Sequence, residues 1–206
     1  MSTAPAATRP PLLLASTSTY RMQLLQRLRL PFAVHPPQVD ETPLAGEAPR
    51  ALALRLARDK ALAAAASFGS PAWVIGSDQV CACEDSILGK PGGFDAALHQ
   101  LRRLRGREAV FHTAVAVVDP QGTVQLREVP TRVRMRDLDD ARLRAYLRAE
   151  QPYDCAGSAK SEGLGIALLE SVSSEDPTAL IGLPLIAVCS MLQAAGLDIL
   201  DAADVG

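Results

Sequence analysis

The sequence lacks any hydrophobic run long enough to cross a membrane. A transmembrane helix needs about 18 or more apolar residues with few or no charges, and the 206 residues contain no such run. The N-terminal stretch MSTAPAATRPP also has no apolar segment of the signal-peptide kind. These absences predict a cytoplasmic protein with no membrane partner.

Patterns typical of disulfide frameworks and metal-binding modules are also missing. The four cysteines form no CxxC pair, and a chain of this size buries enough apolar surface to fold without disulfides. The three histidines are scattered without ligand spacing. We predict reduced thiols. A zinc site on Cys81 and Cys83 stays an alternative, although their one-residue spacing differs from the usual structural-zinc patterns.

The chain has no excess of positive charge. Its net charge is −2, so its overall field does not attract a nucleic acid. Arginines are concentrated in RRLRGR (102–107) and at Arg132, Arg134 and Arg136, but acidic residues surround them. We interpret these segments as a solvated face and predict no nucleic-acid partner.

Strand-like and helix-like segments alternate along the chain. Apolar runs predict strands at PLLLAS, PFAVHPP, AWVIGSDQV, AVFHTAVAVVD, TVQLREVPTRVRM and GLGIALLE. Caps and apolar periodicity predict helices at about 18–29, 48–68, 94–105, 139–149 and 185–195. This order predicts an α/β fold with a mixed sheet flanked by helices. We expect a flexible extension over residues 1–11, a single domain over 12–196 and a tail over 197–206.

The stretch VIGSDQVCACEDSILGKP ends an apolar run on Asp78 and reaches Lys90 twelve positions later. A hairpin turning at CEDS (83–86) would set the two charges nearly opposite each other. Pro91 keeps Lys90 in extended backbone. A surface ion pair is the simpler alternative. A P-loop is excluded, because Glu84 and Pro91 stand where that motif needs glycine and a hydroxyl residue.

The junction LASTSTYR places hydroxyl side chains at the start of a helix. Ser16 and Ser18 precede the first helical turn, and Arg21 lies within it. Free amides and the positive end of the helix dipole favour a phosphate group at such a position. Plain N-capping by Ser18 is the alternative.

Adjacent carboxylates occur at Asp40 and Glu41 in a proline-rich loop. Oxygen ligands of this kind suit a divalent cation, and simple solvation is the alternative. Further along, YDCAGSAKSEGLGI (153–166) contains three glycines among polar residues. Glycines allow a backbone to approach a ligand closely, so this loop is either one wall of a site or a bare turn.

Taken together, these motifs resemble one family. LLLASTSTYR, VDET, LARDKA, IGSDQV, LGKP, CAGSAKSEGLGI and IGLPL, in this order, resemble the Maf family of nucleoside triphosphate pyrophosphatases from about residue 12 to residue 192. The resemblance implies an elongated fold of two lobes with a nucleotide cleft, related to the inosine triphosphate pyrophosphatases, and a homodimer. It also implies cleavage between the α and β phosphates with a divalent metal, Mg²⁺ or Mn²⁺.

The resemblance also implies roles for single residues. They are a catalytic base at Asp78, an acidic metal site at Glu41 and Asp78, a phosphate loop at Ser16, Ser18 and Arg21, and cleft lysines at Lys60 and Lys90. The chain departs from the family loop at Thr19 for proline, Tyr20 for tryptophan and Met22 for the second arginine. Arg21 is then left to act together with the two lysines.

Two residues indicate a branch of the family. Gln79 after the catalytic aspartate and Glu162 in the later loop resemble the branch acting on 7-methyl-GTP. Tyr20 would stack on the cationic base, and Glu162 would accept hydrogen bonds from guanine. The alternatives are a dTTP/UTP or broad modified-nucleotide pyrophosphatase, and a nucleotide-binding regulator of cell division with little turnover.

Overall fold

The structure, a computed structural model, describes residues 9–84 and 86–203. Most of the predicted N-terminal extension, up to residue 8, and the predicted tail after residue 203 lie outside the described residues. In the described part of that tail a short helix spans Ile199–Ala203. Within the described residues no helix is long and apolar enough to span a membrane.

A mixed seven-stranded sheet forms the centre of the fold, as the sequence predicts. Its strands are β1 Leu12–Ala15, β2 Ala33–Val34, β3 Trp73–Cys83, β4 Ser86–Leu88, β5 Glu108–Val118, β6 Val124–Met135 and β7 Leu169–Ser174. The spatial order is β2-β1-β3-β5-β6-β7, and β4 pairs with β3. The β1 strand is parallel to β2 and β3, whereas the other pairs are antiparallel.

Helices cover both faces of this sheet. They are α1 Thr19–Gln26, α2 Pro49–Phe68, α3 Phe94–Leu104, α4 Asp140–Glu150, α5 Leu185–Ala194 and α6 Ile199–Ala203. Local signals set several ends. Ser18 and Asp139 cap α1 and α4, and α2 starts on a proline and ends before Gly69 at φ 70°.

Three segments differ from the sequence prediction. The run GLGIAL is a 3₁₀ helix over Leu164–Leu168, and the strand begins only at Leu169. Glycines alternating with apolar residues imitate a strand pattern there, but Leu164 and Ile166 are exposed. The β3 strand extends to Cys83 because β4 and β5 both pair with its end. The α1 helix ends at Gln26, and Arg29 beyond it has a left-handed φ of 56°.

The face of the sheet opposite α2 carries two separate apolar cores. One surrounds Ile75 and Val115 beneath α1 and α5, and the other surrounds Cys81 and Phe111 beneath α3 and α4. Polar residues lie between these cores on the central strands, namely Ser77, Gln79, Thr113 and Thr131. A third core packs α2 against the other face. The polar row therefore divides the fold into two lobes.

One edge of β3 is paired by two different strands. The β1 strand pairs with it as far as Gly76, and β4 pairs with it from Cys81. Between these pairings, residues 77–80 have no strand partner on that edge in the part of the chain that the structure describes. The opposite edge pairs continuously with β5. The sheet therefore has a local gap, and Asp78 and Gln79 lie at it.

Gly76 should be essential for packing α2 on the sheet. A Cβ atom there would lie 2.6 Å from the backbone nitrogen of Ala61 and would also collide with the carbonyl oxygen of Ala57. We expect Gly76→Ala to lower the free energy of unfolding in urea by about 1–3 kcal/mol, the usual cost of overpacking. Gly89→Ala is the matched control, because a Cβ there meets no atom of the described residues within 4 Å. Equal stability of the two variants would contradict this packing argument.

Candidate active site

A cleft of about 700 Å³ opens at the gap in β3. The side chains lining it include every site residue that the sequence and the family resemblance indicated, namely Ser16, Ser18, Tyr20, Arg21, Glu41, Lys60, Asp78, Gln79, Lys90 and Glu162. These residues come from α1, α2, β3 and the loops between elements. The fold therefore brings the whole predicted set to one place.

Lys60 is the cation that contacts Asp78. Its Nζ lies 2.6 Å from Asp78 Oδ1 and 2.7 Å from Glu41 Oε1. The Lys60 and Asp78 side chains are 8% and 12% exposed, whereas Glu41 is 61% exposed. The hairpin alone suggested Lys90 as the partner of Asp78. The hairpin exists, but β4 ends at Leu88, and Lys90 lies on the exposed rim of the cleft.

Several positive charges act on Glu41. Partial burial raises the pKa of Glu41, but the hydrogen bond from Lys60 and the charges of Lys60, Lys90 and Arg21 outweigh it, so the pKa lies below 4.5. Glu41 is therefore ionised at neutral pH. The three cations and two carboxylates form one compact, charged end of the cleft.

The predicted phosphate loop combines capping with an arginine clamp. Ser18 Oγ accepts the backbone N–H of Arg21, so the capping interpretation is confirmed. Ser16 Oγ accepts from the Ser18 backbone N–H and from Arg21 Nη1, at 3.1 and 3.4 Å. Arg21 Nε also donates to the Gly182 carbonyl at 2.9 Å. Desolvation lowers the pKa of Arg21, and Asp78 and Glu41 oppose that change. The guanidinium is thus held at the cleft wall.

Gln79 lies at the gap with its amide orientation fixed. Its Nε2 lies 3.0 Å from the carbonyl oxygens of Ala179 and Leu180 and 2.9 Å from Thr113 Oγ1. Two carbonyl acceptors require the nitrogen on that side. The side-chain oxygen is then the group that Gln79 can offer to a ligand.

The other end of the cleft surrounds Tyr20 with carboxylates. The Tyr20 hydroxyl donates to Asp154 at 3.5 Å, and Lys160 Nζ lies 5.8 Å from the ring centre. Burial, the Cys155 thiol and the charges of Asp154 and Glu162 raise the pKa of Tyr20 above 10. Burial and Asp154 likewise raise the pKa of Cys155 to about 12. The phenol and the thiol are therefore neutral donors beside the side chains of Asp154 and Glu162.

The glycine-rich loop packs against the protein itself. A Cβ at Gly163 would lie 2.7 Å from the Glu150 carboxylate, and one at Gly165 would meet the backbone of Lys160. Glu150 accepts from Lys160 at 3.0 Å and from the Leu164 backbone N–H at 2.7 Å. These glycines therefore permit the loop to fold tightly, which presents Glu162 at the cleft.

Sequence reasoning missed the residues that support the Glu41 loop. Arg55 on α2 donates to Glu47 at 2.7 and 2.8 Å and to the Thr42 carbonyl at 3.1 Å. Glu47 Oε2 also accepts the Leu44 backbone N–H. Arg55 immediately precedes the LARDKA motif (56–61), and nothing in its spacing identifies Glu47 as its partner.

The alternatives for metal and nucleic-acid binding can also be compared with the structure. In residues 9–84 and 86–203 no group of three or more His, Cys, Asp or Glu side chains could hold a metal ion. Cys81 and Cys83 are buried in an apolar core. The arginines of the proposed solvated face pair with carboxylates, as seen at Arg102, Arg105, Arg107, Arg132 and Arg134. These pairs fit a solvated surface.

Glu47 should make the free energy of unfolding depend on pH in the acidic range. The Arg55 hydrogen bond lowers the pKa of Glu47 from 4.5 to about 2. Because the folded pKa is depressed, its stabilisation is complete above about pH 4.5 and disappears as the pH falls toward 2. We expect Glu47→Gln to be less stable than the unaltered protein at pH 6, with the difference shrinking toward pH 3. Urea unfolding at several pH values measures this difference, and a constant difference would contradict the assignment.

The chain is similar to several known proteins. The family described as Maf-like protein matches residues 11–195. A 7-methyl-GTP pyrophosphatase of Burkholderia thailandensis is 58% identical over 96% of this chain and 93% of its own. One of Paraburkholderia xenovorans is 60% identical over 94% and 97%. A solved nucleoside-triphosphatase / dITP/XTP pyrophosphatase of Mycobacterium abscessus has 19% identity and a TM-score of 0.46, covering 89% of this chain and 97% of its own. The chain belongs to the Maf family.

Proposed function

We propose that this chain is a nucleotide pyrophosphatase that hydrolyses 7-methyl-GTP to 7-methyl-GMP and diphosphate. The observation that carries the proposal is the division of charge in the cleft. Cations gather around Glu41 and Asp78 at one end, and the carboxylates of Asp154 and Glu162 act on Tyr20 at the other. A nucleotide with an anionic triphosphate and a cationic base matches both ends. The names of the close relatives support the same substrate.

The triphosphate would lie among Arg21, Lys60 and Lys90. Arg21 presents a planar guanidinium that suits phosphate oxygens, and the first-turn amides of α1 add donors without intrahelical partners. The two lysines supply compact point charges. Contacts of this kind hold and orient the phosphates without reading the base.

Asp78 would act as the general base. Its carboxylate takes a proton from a water molecule, the water oxygen attacks the α phosphorus, and the bond to the bridging oxygen breaks to release diphosphate. Lys60 fixes the carboxylate at 2.6 Å and compensates its charge in a site that is mostly removed from solvent. The same contact orients Asp78 toward the gap.

The carboxylates also suit a divalent metal such as Mg²⁺ or Mn²⁺. Glu41 and Asp78 each place an oxygen within 2.7 Å of the same lysine nitrogen, so their carboxylates converge. Magnesium is commonly bound by one or two carboxylates together with substrate phosphates and water. A bound metal would neutralise phosphate charge and polarise the phosphoryl group. Glu41 and Asp78 would hold it, with the nucleotide supplying the remaining oxygens.

The base would be recognised between Tyr20, Gln79 and Glu162. Lys160 lies over one side of the Tyr20 ring, so a cationic base would stack on the other side. Cation–π stacking of this kind contributes about 0.5–2 kcal/mol. Glu162 can accept from the guanine N1–H and exocyclic amine, and the oxygen of Gln79 offers a further acceptor.

Replacing Asp78, the proposed general base, should slow turnover without weakening nucleotide binding. Asp78→Asn keeps the shape of the side chain but cannot take the proton, so we expect turnover to fall by about 10² or more. The affinity for 7-methyl-GTP, measured by calorimetry, should change little. Coupled measurement of diphosphate release gives the rate, and near-normal turnover would show that Asp78 is not the base.

Base preference should depend on Glu162. The unaltered protein should cleave 7-methyl-GTP with a higher kcat/KM than GTP, dTTP or UTP, and Glu162→Gln should reduce the ratio of 7-methyl-GTP to GTP by about tenfold, as expected when a charged hydrogen-bond acceptor is lost. Glu170→Gln is the matched control, since Glu170 is an exposed residue of β7 outside the cleft lining.

The same panel of nucleotides tests the alternatives. Equal cleavage of dTTP and 7-methyl-GTP would favour a broad pyrophosphatase over the proposed substrate. Binding of nucleotides without release of diphosphate, with and without added Mg²⁺ or Mn²⁺, would instead favour a regulator. Gel filtration of the same sample tests the homodimer, which also remains a proposal.

A further inference from the structure

The segment 176–187 is held by a buried carboxylate. Asp176 is only 2% exposed. Its Oδ2 accepts the backbone N–H groups of Ile186 and Ala187, at 2.7 and 3.3 Å, in the first turn of α5. Pro184, at the N-cap position, provides no side-chain cap. Asp176 therefore caps α5 from a distance and complements the positive end of its dipole.

Thr178 connects Asp176 to the rest of the segment. Its Oγ1 lies 2.7 Å from Asp176 Oδ1 and 2.8 Å from the Leu183 carbonyl oxygen. The hydroxyl has one proton, so it donates to one of these acceptors at a time. It also accepts the backbone N–H of Leu185 at 2.8 Å. The Thr178 hydroxyl thus links the two ends of residues 178–185 through hydrogen bonds.

The backbone carbonyls of residues 179–182 lie between these hydrogen bonds and accept hydrogen bonds from two cleft residues. The Gly182 carbonyl accepts from Arg21 Nε at 2.9 Å, and the carbonyls of Ala179 and Leu180 accept from Gln79 Nε2. Arg21 belongs to the phosphate end of the cleft, and Gln79 borders the base. One short segment therefore sets the position of a residue for each part of the nucleotide.

We infer that Asp176 and Thr178 are positioning residues: they fix the carbonyls of residues 179–182, and through them the side chains of Arg21 and Gln79. The inference rests on the proposed function. Among the described residues, neither Asp176 nor Thr178 lines the cleft, so neither contacts the nucleotide. Their effect on the reaction must pass through the segment.

Kinetics can distinguish positioning from a merely structural role. If the segment loses its conformation, Arg21 should hold phosphate less well, so KM should rise for every nucleotide. Displacement of Gln79 should in addition lower the ratio of kcat/KM for 7-methyl-GTP to that for GTP. Partial unfolding alone would lower the amount of active protein and leave KM and the ratio unchanged.

The test compares Thr178→Val with Thr178→Ser. Valine has nearly the same shape but no hydroxyl, whereas serine keeps it. We expect kcat/KM for 7-methyl-GTP to fall by about tenfold to 10²-fold in Thr178→Val, the range for small misplacements of binding groups. Thr178→Ser should stay within about twofold of the unaltered protein, because it retains the hydrogen bonds. Hydrogen exchange should speed up at residues 179–187 in the valine variant only.

Asp139→Ala controls for loss of stability. Asp139 caps α4 by accepting the Arg142 backbone N–H at 2.9 Å, and it does not line the cleft. The Asp139→Ala variant should have a lower free energy of unfolding. Its KM, and its ratio of kcat/KM for 7-methyl-GTP to that for GTP, should stay unchanged. Unchanged KM and ratio in Thr178→Val would overturn the inference.

Binding measurements keep this test separate from the proposed function. If the unaltered protein binds 7-methyl-GTP without cleaving it, the proposed hydrolysis is wrong. The inference is then decided by the dissociation constants of 7-methyl-GTP for the valine and serine variants. Weaker binding to Thr178→Val supports positioning, and equal binding overturns it.

Discussion

The interrupted edge of β3 is the constraint on which the site depends. The β1 strand pairs with β3 up to Gly76 and β4 resumes the pairing at Cys81, so residues 77–80 have no strand partner on that side among the described strands. Adjacent side chains of a strand point to opposite faces. At a closed sheet Asp78 and Gln79 would lie in different layers, but at the gap both reach one cleft. The helix that follows β1 starts beside the gap and brings the phosphate loop to it.

The charged side chains around this gap are paired with each other, and this pairing compensates the free-energy cost of burying them. Lys60 enters from α2 and contacts both Asp78 and Glu41, which offsets the desolvation that a lone buried lysine would suffer. On the other face, the carbonyls of residues 179–182 hold Arg21 and Gln79. The cleft is therefore supported from two layers. The α2 side holds Asp78 and Glu41 at the proposed phosphate end, and the carbonyls of residues 179–182 hold Arg21 at that end and Gln79 beside the proposed base site.

Local and periodic features could be predicted from the sequence. The Ser18 cap, the long α2 and the hairpin after β3 each depend on residues close in the chain. The Lys60–Asp78 contact could not be derived from spacing, because it requires α2 to cross β3 at Gly76, where only a glycine fits. The strand expected at GLGIAL was wrong because a packed glycine loop has the same alternation as a strand. Contacts to backbone carbonyls, such as those of Gln79, leave no side-chain pattern to recognise.

In the proposed reaction, a water molecule activated by Asp78 in this gap attacks the α phosphorus of the nucleotide. The most direct test is hydrolysis of 7-methyl-GTP in water enriched with heavy oxygen, followed by mass spectrometry of both products. If water attacks the α phosphorus, the label appears in 7-methyl-GMP and the diphosphate remains unlabelled. Label in the diphosphate, or the release of single phosphate groups, would place the attack at another phosphorus and rule out the proposed reaction.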